Sequence, residues 1–477
     1  MNYKMIKNIL GWILIFEAIF MAVPLITAII YSESAVISFI VSILICAAVG
    51  GLLIMNRPAD TTLYSRDGYV IAAASWIALS IFGAFPFYIS GAIPSYIDAL
   101  FETVSGFTTT GASILTEIES LPKSILIWRS FTHWVGGMGV LVFIMAFVSL
   151  SGGQNMHIMK AESPGPSVSK LVPRVKNTAT ILYSLYFILT LTEFFVLLFA
   201  GMSVFEALNT SFATAGTGGF GIKNDSINSY SSAIQIAITI FMLLFSINFN
   251  SYYLLLHRKP KEAFNTEVRV FVAIVISAIA IITLNVYHLF PSVQDAVKHS
   301  AFTVASIIST TGFATVDFNL WPELSRTILV LLMFIGACAG STGGGMKVSR
   351  IIILVKSMKN SLNSLIHPKR VQKISIDSHP VDSEVVQNVY AFTVCYIIIF
   401  VVSFVVIAFD NHDLITNFTA VASTMNNIGP GLELVGPTQN FAFFSIPSKL
   451  VLIFDMLAGR LEVFPMLILF SRAVWKK

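Results

Sequence analysis

Four segments of this 477-residue sequence end in a short run of small, mostly polar residues followed by a glycine. Glycine readily adopts positive φ angles, which allow successive backbone carbonyl groups to align. A ring of such carbonyl oxygens can replace the hydration shell of a cation. Aligned on that glycine, the segments are residues 98–111, 206–219, 299–312 and 416–429. The pattern indicates a cation filter built from four copies of one unit.

The residues expected to bind the ion are the last three of each segment. A serine lies six residues before the glycine in three segments, at Ser105, Ser306 and Ser423, which supports the alignment. The second segment differs because Gly216 adds to the two glycines of its filter. An alternative interpretation is helix packing through small residues, but four copies in one register favour a filter. The expected filter residues are Thr109, Thr110, Gly111, Thr217, Gly218, Gly219, Thr310, Thr311, Gly312, Asn427, Ile428 and Gly429.

A second glycine-rich run, residues 340–345, interrupts the apolar stretch 327–356. Each glycine costs a helix about 1 kcal/mol relative to alanine, so this run predicts a break in the helix. Polar backbone at membrane depth is tolerated only where protein or water surrounds it. The order Gly345-Met-Lys347 differs from the Gly-Lys-Ser/Thr of a phosphate-binding loop, and no strand precedes it. We therefore interpret the run as an intramembrane loop.

The elements that must position these residues are membrane spans. Hydrophobic residues make up 56% of the chain and charged residues 11%, with a mean hydropathy of +0.81. Ordinary soluble domains carry about 25% charged residues, so the composition argues against soluble enzymes, nucleic-acid binders and disordered proteins. Spans of roughly 20 apolar residues fit ten runs, at 8–31, 35–55, 69–90, 125–150, 178–201, 232–256, 269–290, 327–356, 385–409 and 447–472.

The orientation of the spans follows from the basic residues. Most of the 29 Lys and Arg residues fall on one side of the membrane if the N-terminus is cytoplasmic. Cytoplasmic connections are enriched in basic residues, so both termini are expected in the cytoplasm. The first run, preceded by Lys4 and Lys7, also suggests a signal peptide, but it is too long and lacks a clean cleavage site.

Each of the four segments lies between two spans, after two additional spans at the N-terminus. About ten helical residues rise roughly 15 Å, which is half of the hydrocarbon core. Each segment is therefore expected to enter the membrane as a half-length helix and to return. Four such segments around one axis would line a single pore, with the negative ends of their helices favouring a cation.

Six motifs carry a resemblance to a known family: Thr108-Thr-Thr-Gly-Ala-Ser113, Thr217-Gly-Gly-Phe220, Ser309-Thr-Thr-Gly-Phe313, Asn426-Asn-Ile-Gly-Pro-Gly431, Gly340-Ser-Thr-Gly-Gly-Gly345 and Ala458-Gly-Arg-Leu-Glu462. The sequence resembles the Trk/Ktr/HKT superfamily of potassium transporters. The two additional N-terminal spans are similar to those of the TrkH/TrkG branch rather than to the shorter KtrB branch. Glycine at Gly111 is, in this superfamily, typical of members that favour K⁺.

The resemblance implies a fold class. It is an all-α integral membrane protein with four span–pore-helix–span repeats around one potassium-channel-like pore, plus two extra N-terminal spans. The resemblance also implies that the glycine-rich loop lies under the filter and acts as a gate. The expected division is 1–60 for the two additional helices and 61–160, 161–260, 261–372 and 373–477 for pore repeats 1 to 4, with the gating loop at 336–346.

Two basic residues fall inside the predicted spans. A charge at that depth is a functional candidate, and the family places an arginine matching Arg460 near the pore below the filter. We hypothesise that Arg460 sets a barrier to K⁺ and helps to hold the loop shut; the alternative is an ion pair with Asp455 or Glu462. Lys347 is expected to border the cytoplasmic end of the cavity or to snorkel. The expected gate residues are Gly340, Ser341, Thr342, Gly343, Gly344, Gly345, Lys347 and Arg460.

The function that the resemblance implies is potassium uptake across the bacterial cytoplasmic (inner) membrane. Potassium is then the transported substrate, and no organic cofactor or nucleic acid is expected to bind this chain. Members of the family form homodimers and pair with a cytosolic TrkA-like regulatory subunit that binds ATP/ADP or NAD. The basic connections 152–177 and 347–384 either dock such a subunit or reflect topology alone.

The same residues bear on two other functions. A tightly coupled H⁺- or Na⁺-driven K⁺ symporter would use the same pore. It is retained as the alternative function. An intramembrane hydrolase would need a nucleophile–base pair or metal ligands in register, and no histidine recurs opposite the abundant Ser and Thr residues. The 8 histidines and 3 cysteines match no metal-site spacing. The chain is therefore not expected to be an enzyme.

Overall fold

The computed structural model describes residues 1–55, 58, 60, 62–137, 139, 175–367, 373–377 and 379–475. The second half of the predicted span 125–150 and most of the basic connection 152–177 lie outside these residues. The predicted boundary between repeats 1 and 2, at residues 160 and 161, lies outside them as well.

The described residues are mostly helical, with one two-stranded hairpin. The helices of the first half are α1 (Tyr3–Phe20), α2 (Ala22–Ile30), α3 (Val36–Ile54), α4 (Ser65–Gly83), α5 (Phe85–Ile89), α6 (Tyr96–Phe107), α7 (Lys123–Gly137), α8 (Val175–Phe199), α9 (Val204–Gly216), α10 (Ser232–Ser246) and α11 (Phe249–Leu256). The helices of the second half are α12 (Pro260–Ala263), α13 (Thr266–Val286), α14 (Val293–Ile308), α15 (Glu323–Ile335), α16 (Val348–Ile366), α17 (Ser383–Ile407), α18 (Leu414–Met425), α19 (Ile446–Arg460), α20 (Phe464–Phe470) and α21 (Arg472–Trp475). The strands β1 (Ser375–Ile376) and β2 (His379–Pro380) pair antiparallel.

Six helical segments in the described part of the chain are long and apolar enough to cross a membrane. A seventh results if α10 and α11, which are bent by 91° relative to each other, count as one span. Each of these segments corresponds to a run predicted from the sequence. The six are Tyr3–Ile30, Val36–Ile54, Ser65–Ile89, Thr180–Phe199, Thr266–Leu289 and Ser383–Asp410.

In the described residues, the second helix of each predicted repeat is short. α7, α10 and α19 have 15 residues each and α15 has 13, so they rise about 20–23 Å against a hydrocarbon core of about 30 Å. A break was predicted only within 327–356. The breaks within 232–256 and 447–472 correct the expectation of continuous spans there.

Each break has its own local geometry. Between α10 and α11, the side chain of Asn248 caps the new helix. Between α19 and α20, Glu462 and Val463 have positive φ angles of 57° and 68°, which a right-handed helix excludes. Between α15 and α16, the glycine-rich segment forms a loop over residues 336–347. We call this segment the 336–347 loop; it extends one residue beyond the predicted limits.

Four short helices, α6, α9, α14 and α18, precede the filter sequences and are called the pore helices. They contain 12, 13, 16 and 12 residues. They rise about 18–24 Å, more than expected but too little to cross the membrane. At each start, a Ser or Asp side chain accepts the backbone N–H three residues later, which is a common N-cap. These caps are Ser95, Ser203, Ser292 and Asp413, with distances of 3.4, 3.3, 3.1 and 2.9 Å.

The surface and the helix contacts fit a lipid environment. α1 lies so close to α3 that a Cβ on Gly11 would come within 2.8 Å of the Gly50 carbonyl oxygen, as in membrane helix pairs with small residues. Large apolar side chains remain exposed, for example Leu284 at 75% and Phe409 at 81%. An apolar perimeter of this extent suits contact with lipid rather than water. The protein is an all-α integral membrane protein, as predicted.

Candidate ion filter and intramembrane loop

Each pore helix ends in the same backbone conformation. The residue two positions before the filter glycine is left-handed in all four repeats, with φ angles of 56° at Thr109, 56° at Thr217, 60° at Thr310 and 55° at Asn427. This conformation costs a residue with a side chain roughly 1–2 kcal/mol. Strain of this kind persists where the surrounding structure imposes it and is common at functional sites.

The next residue in each repeat donates its N–H to the carbonyl oxygen five residues earlier. This is the Schellman motif, which ends a helix and redirects the chain. The serines that supported the sequence alignment occupy the acceptor position in three repeats. The bonds are Thr110 to Ser105 at 2.9 Å, Gly218 to Ala213 at 2.9 Å, Thr311 to Ser306 at 2.9 Å and Ile428 to Ser423 at 3.0 Å.

The four glycines that end these segments, called the filter glycines, pack into a closed ring. Each filter glycine lies against the next repeat. A Cβ added to it would meet a carbonyl oxygen of that repeat, and this oxygen belongs to the residue directly before that repeat's filter glycine. The pairs are Gly111 with Gly218, Gly219 with Thr311, Gly312 with Ile428 and Gly429 with Thr110. The last pair leads from repeat 4 back to repeat 1. Only glycine permits this approach, and the four φ angles lie between 73° and 102°.

The filter glycines open into a cavity of about 140 Å³. Its lining includes all four of them together with Arg129 and Lys223. The four filter glycines therefore meet at one cavity. In the described part of the chain, no group of three or more His, Cys, Asp or Glu residues is placed to hold a metal ion. The oxygen atoms that lie against the four filter glycines are backbone carbonyls.

Side-chain hydroxyl groups brace the filter backbone. The hydroxyl groups of Thr108 and Thr110 lie 2.8 Å apart in repeat 1, and those of Ser309 and Thr311 lie 2.7 Å apart in repeat 3. Between repeats 4 and 1, the Asn427 amide donates to the Thr110 hydroxyl at 2.9 Å. These residues are fully buried, so the bonds fix the filter geometry without water.

The 336–347 loop lies directly against the filter. The N–H of Gly344 donates to the Thr310 hydroxyl at 2.6 Å, and the N–H of Gly345 donates to the Asn426 carbonyl at 3.1 Å. A Cβ on Gly344 would overlap that same Asn426 carbonyl. The loop therefore closes against repeats 3 and 4 through backbone that carries no side chain.

The other end of the loop docks on the break between α10 and α11. Because α10 ends at Ser246, its last carbonyl groups need partners outside the helix. The loop supplies two of these partners, and its own Gly340 carbonyl accepts an N–H from the start of α11. The bonds are Cys338 N–H to Ser246 O at 3.1 Å, Thr342 Oγ1 to Phe245 O at 3.1 Å and Phe249 N–H to Gly340 O at 3.0 Å.

Glu267, near the start of α13, anchors the loop and was missed by the sequence reasoning. Its Oε1 atom accepts the N–H of Ala339 at 2.8 Å and that of Ser349 at 3.1 Å. One carboxylate thus binds Ala339 inside the loop and Ser349 just after it. The only sequence signal was an acidic residue next to an apolar run, since its partners lie more than 70 residues away.

Arg460 links the loop to α7. Its guanidinium donates to the Thr342 carbonyl at 2.8 Å and to the carbonyls of Gly136 and Gly137 at 2.5 and 2.6 Å. The last two belong to the C-terminal end of α7, where the helix dipole is negative and favours a cation. The predicted proximity of Arg460 to the loop is therefore present as a direct hydrogen bond.

The carboxylates proposed as alternative partners of Arg460 both bind other groups. Glu462 forms an ion pair with Arg350, and Asp455 accepts the Ser403 hydroxyl at 2.7 Å. Lys347 is only 3% exposed, and its Nζ donates to the Gly343 carbonyl inside the loop. The expectation that Lys347 snorkels is therefore wrong, because the loop carbonyl binds its ammonium group within the protein.

A buried ion pair supports the filter on its cavity side and was also missed. Arg129 on α7 and Glu102 on the first pore helix are 1% and 0% exposed, with 2.8 Å between their charged atoms. Glu102 also accepts the Ser113 hydroxyl and the Ile114 N–H, both at about 3.0 Å. The pair therefore fixes the segment that follows Gly111.

These helices and converging carbonyl segments define a membrane transport protein. A family model described as "TrkH: Cation transport protein" matches residues 35–477. The chain belongs to this family, which confirms the resemblance found in the sequence.

Relatives cover the chain from end to end. "Trk system potassium uptake protein TrkH" of Escherichia coli (strain K12) is 35% identical, with 100% of both chains covered. "Trk system potassium uptake protein TrkG" of the same organism is 31% identical, covering 100% of this chain and 99% of TrkG. The crystal structure of the potassium transporter TrkH from Vibrio parahaemolyticus superposes with a TM-score of 0.90 at 33% identity, covering 100% of both chains. These relatives are transport proteins and not enzymes, which confirms the expectation from the sequence that the chain is not an enzyme.

Proposed function

We propose that this protein takes up potassium ions through the four-repeat filter. The observation that carries the proposal is the closed ring, in which each filter glycine lies against a carbonyl oxygen of the next repeat. Carbonyl oxygens can replace the water around a cation. The ion-binding residues are residues 109–111, 217–219, 310–312 and 427–429, and K⁺ is the transported substrate.

Potassium is the favoured ion for two reasons. The similar proteins TrkH and TrkG carry potassium uptake in their names. The filter glycines, Gly111 included, have no side chain that would narrow the ring or add a further ligand. Apart from the choice among cations, the negative C-terminal ends of the four pore helices adjoin the filter segments and favour a positive ion.

The 336–347 loop is proposed to act as the gate, with Lys347 and Arg460 as its basic residues. Its support is the contact of Gly344 with the filter hydroxyl of Thr310. A loop in this position blocks an ion that leaves the filter. Arg460 adds a positive charge beside the loop, which raises the barrier to a cation.

The proposal is tested by K⁺ and Na⁺ flux in liposomes that contain the purified protein. The wild-type protein is expected to transport K⁺ in preference to Na⁺. Gly111→Ser and Gly312→Ser are expected to reduce this preference, because the added Cβ atoms would overlap carbonyl oxygens of the ring. An unchanged K⁺ preference in both variants would refute the filter assignment.

The wider setting of the function is also a proposal. We expect the protein in the bacterial cytoplasmic membrane, with both termini cytoplasmic, as a homodimer that binds a cytosolic TrkA-like subunit responding to ATP/ADP or NAD. The support is the distribution of basic residues and the family membership. The repeat boundaries at 60, 160, 260 and 372 belong to the same proposal.

A tightly coupled symporter driven by H⁺ or Na⁺ is the second candidate. It is favoured by Glu17 and Glu193, two carboxyl groups that are fully buried within the membrane helices α1 and α8. Buried carboxyl groups at membrane depth are common in proton relays. The reversal potential for K⁺ in a planar bilayer separates the two candidates, since a dependence on pH or on Na⁺ supports coupling.

A further inference from the structure

Repeat 2 lacks the hydroxyl groups that brace the filter in repeats 1 and 3. In those repeats, the residues one and three positions before the filter glycine form a hydroxyl pair. In repeat 2 both positions are glycines, Gly216 and Gly218. The space beside them is filled by another helix, because a Cβ on Gly218 would overlap the imidazole ring of His133. A Cβ on Gly216 would overlap the main-chain carbonyl of the same histidine.

His133 lies on α7 in repeat 1 and is fully buried. Its Nδ1 atom lies 2.7 Å from the Gly106 carbonyl oxygen, and its Nε2 atom lies 3.3 Å from the backbone nitrogen of Phe220. A carbonyl can only accept and an amide N–H can only donate, so Nδ1 carries the proton and Nε2 accepts. The neutral ring thus connects the pore helix of repeat 1 to the residue that follows Gly219.

Two side chains on the same face of α7 also pack against the Phe220 ring. The Phe220 ring lies 4.2 Å from the His133 ring between centroids, and the Arg129 guanidinium lies 4.1 Å from the Phe220 centroid. Arg129 and His133 are four residues apart, so they lie on one face of the helix. Side chains of repeat 1 therefore pack against the segment around Gly218, whose own Thr217 hydroxyl donates only to the adjacent Gly216 carbonyl at 2.6 Å among the hydrogen bonds of the described residues.

We propose that His133 is a positioning residue of the filter that determines ion selectivity. Its imidazole takes the place of the missing side chains of repeat 2 and fixes the Gly218 carbonyl, the group that packs against Gly111 in the ring. The inference rests on the proposed function, because it assigns His133 to that filter. His133 does not contact the ion; it acts through the backbone of Gly218.

The test is a double-mutant cycle on the full-length protein in liposomes, read as the ratio of K⁺ to Na⁺ permeability. His133→Ala removes two hydrogen bonds, so the ratio is expected to fall roughly threefold to tenfold. Gly218→Thr is expected to lower the ratio as well, because its side chain would overlap the imidazole. The double variant His133→Ala/Gly218→Thr is expected to have a higher ratio of K⁺ to Na⁺ permeability than either single variant, because the threonine fills the space that the imidazole ring has left.

Two further variants complete the experiment. His412→Ala removes a histidine that packs edge-on against Phe443 at 4.7 Å, away from the filter, and is expected to keep the wild-type ratio. His133→Gln retains one hydrogen bond and should give an intermediate ratio; it replaces His133→Ala if that variant does not insert into membranes.

A wild-type ratio in the His133 variants would overturn the inference, as would a double variant no more selective than either single variant. A wild-type protein with no preference for K⁺ would overturn the proposed function, and the selectivity role of His133 with it. If the wild-type protein prefers K⁺ and the His133 variants keep the same ratio of K⁺ to Na⁺ permeability, the inference about His133 is overturned but the proposed function is not.

Discussion

Replacing Arg460 with glutamine is expected to increase K⁺ flux through the protein. The guanidinium binds the Thr342 carbonyl in the 336–347 loop and two carbonyls at the end of α7. Glutamine is shorter and neutral, so it cannot join these groups. The loop then loses a bond that holds it against the filter, and an ion leaving the filter no longer meets a fixed positive charge.

The size of the effect follows from the bond to Thr342, because it is the contact through which Arg460 holds the loop itself. A hydrogen bond from a charged group contributes about 1.5–3 kcal/mol. Losing it raises the ratio of open to closed loop by roughly tenfold to hundredfold, since 1.4 kcal/mol corresponds to a factor of ten. The two bonds to α7 support the same side chain but do not change the loop equilibrium directly.

The assay is K⁺ efflux from liposomes that contain only this protein, so that no regulatory subunit contributes. Arg460→Lys should give an intermediate flux, because an ammonium group keeps the charge but loses the planar fork that binds several carbonyls. Arg326→Gln is the matched control, since Arg326 pairs with Glu323 and Glu433 and contacts no residue of the loop in the described part of the chain. An Arg460→Gln protein that inserts normally and shows unchanged or reduced flux would refute the gate hypothesis.

Three further predictions concern the filter and its anchors. Gly111→Ala is expected to reduce K⁺ selectivity more severely than Gly429→Ala. A Cβ at residue 111 would overlap the Gly218 carbonyl oxygen, whereas a Cβ at residue 429 would lie 2.8 Å from the Thr110 carbonyl oxygen. Equal losses of selectivity in liposome flux would contradict the ring geometry. Glu102→Gln leaves the buried Arg129 without its carboxylate, and breaking such a pair costs about 3–5 kcal/mol, so the melting temperature in detergent should fall markedly; unchanged melting would show that the pair contributes little. Glu267→Gln weakens two charge-assisted bonds to about the strength of neutral ones, a loss of roughly 1 kcal/mol each, and should speed hydrogen exchange in the 336–347 loop; exchange at the wild-type rate would exclude Glu267 as an anchor.

The filter segments were predictable because the sequence signals that mark them are local. A glycine is required wherever a backbone carbonyl of another repeat comes this close, and it recurs at Gly111, Gly219, Gly312 and Gly429. The serine six positions earlier recurs in three repeats, and its hydroxyl group donates to a nearby filter-segment carbonyl in two of them, from Ser306 to Phe313 at 2.6 Å and from Ser423 to Gly429 at 2.5 Å. Both signals belong to one short segment, so the alignment alone detects them.

The breaks in α10 and α19 were not predictable from their own residues. The runs 232–256 and 447–472 have the length and the apolar content of continuous spans, and single polar residues such as Asn248 or Glu462 do not by themselves predict a break. α10 ends where the 336–347 loop, about 90 residues later, binds its last carbonyl groups. Glu267 and Glu102 were missed for the same reason, because each acts through partners that a single segment does not contain.

One helix, α7, carries both the filter support and the gate contact. Arg129 and His133 hold the filter from the middle of α7, and the carbonyls at its C-terminal end hold Arg460. In the proposed gate, opening breaks the bond from Arg460 to Thr342 but needs to break neither of its bonds to α7. The arginine can therefore stay docked while the loop moves, and the filter keeps its support. In the proposed gate, opening therefore retains the support that α7 gives to the filter, whereas the loop's own bonds to the Thr310 hydroxyl and the Asn426 carbonyl break.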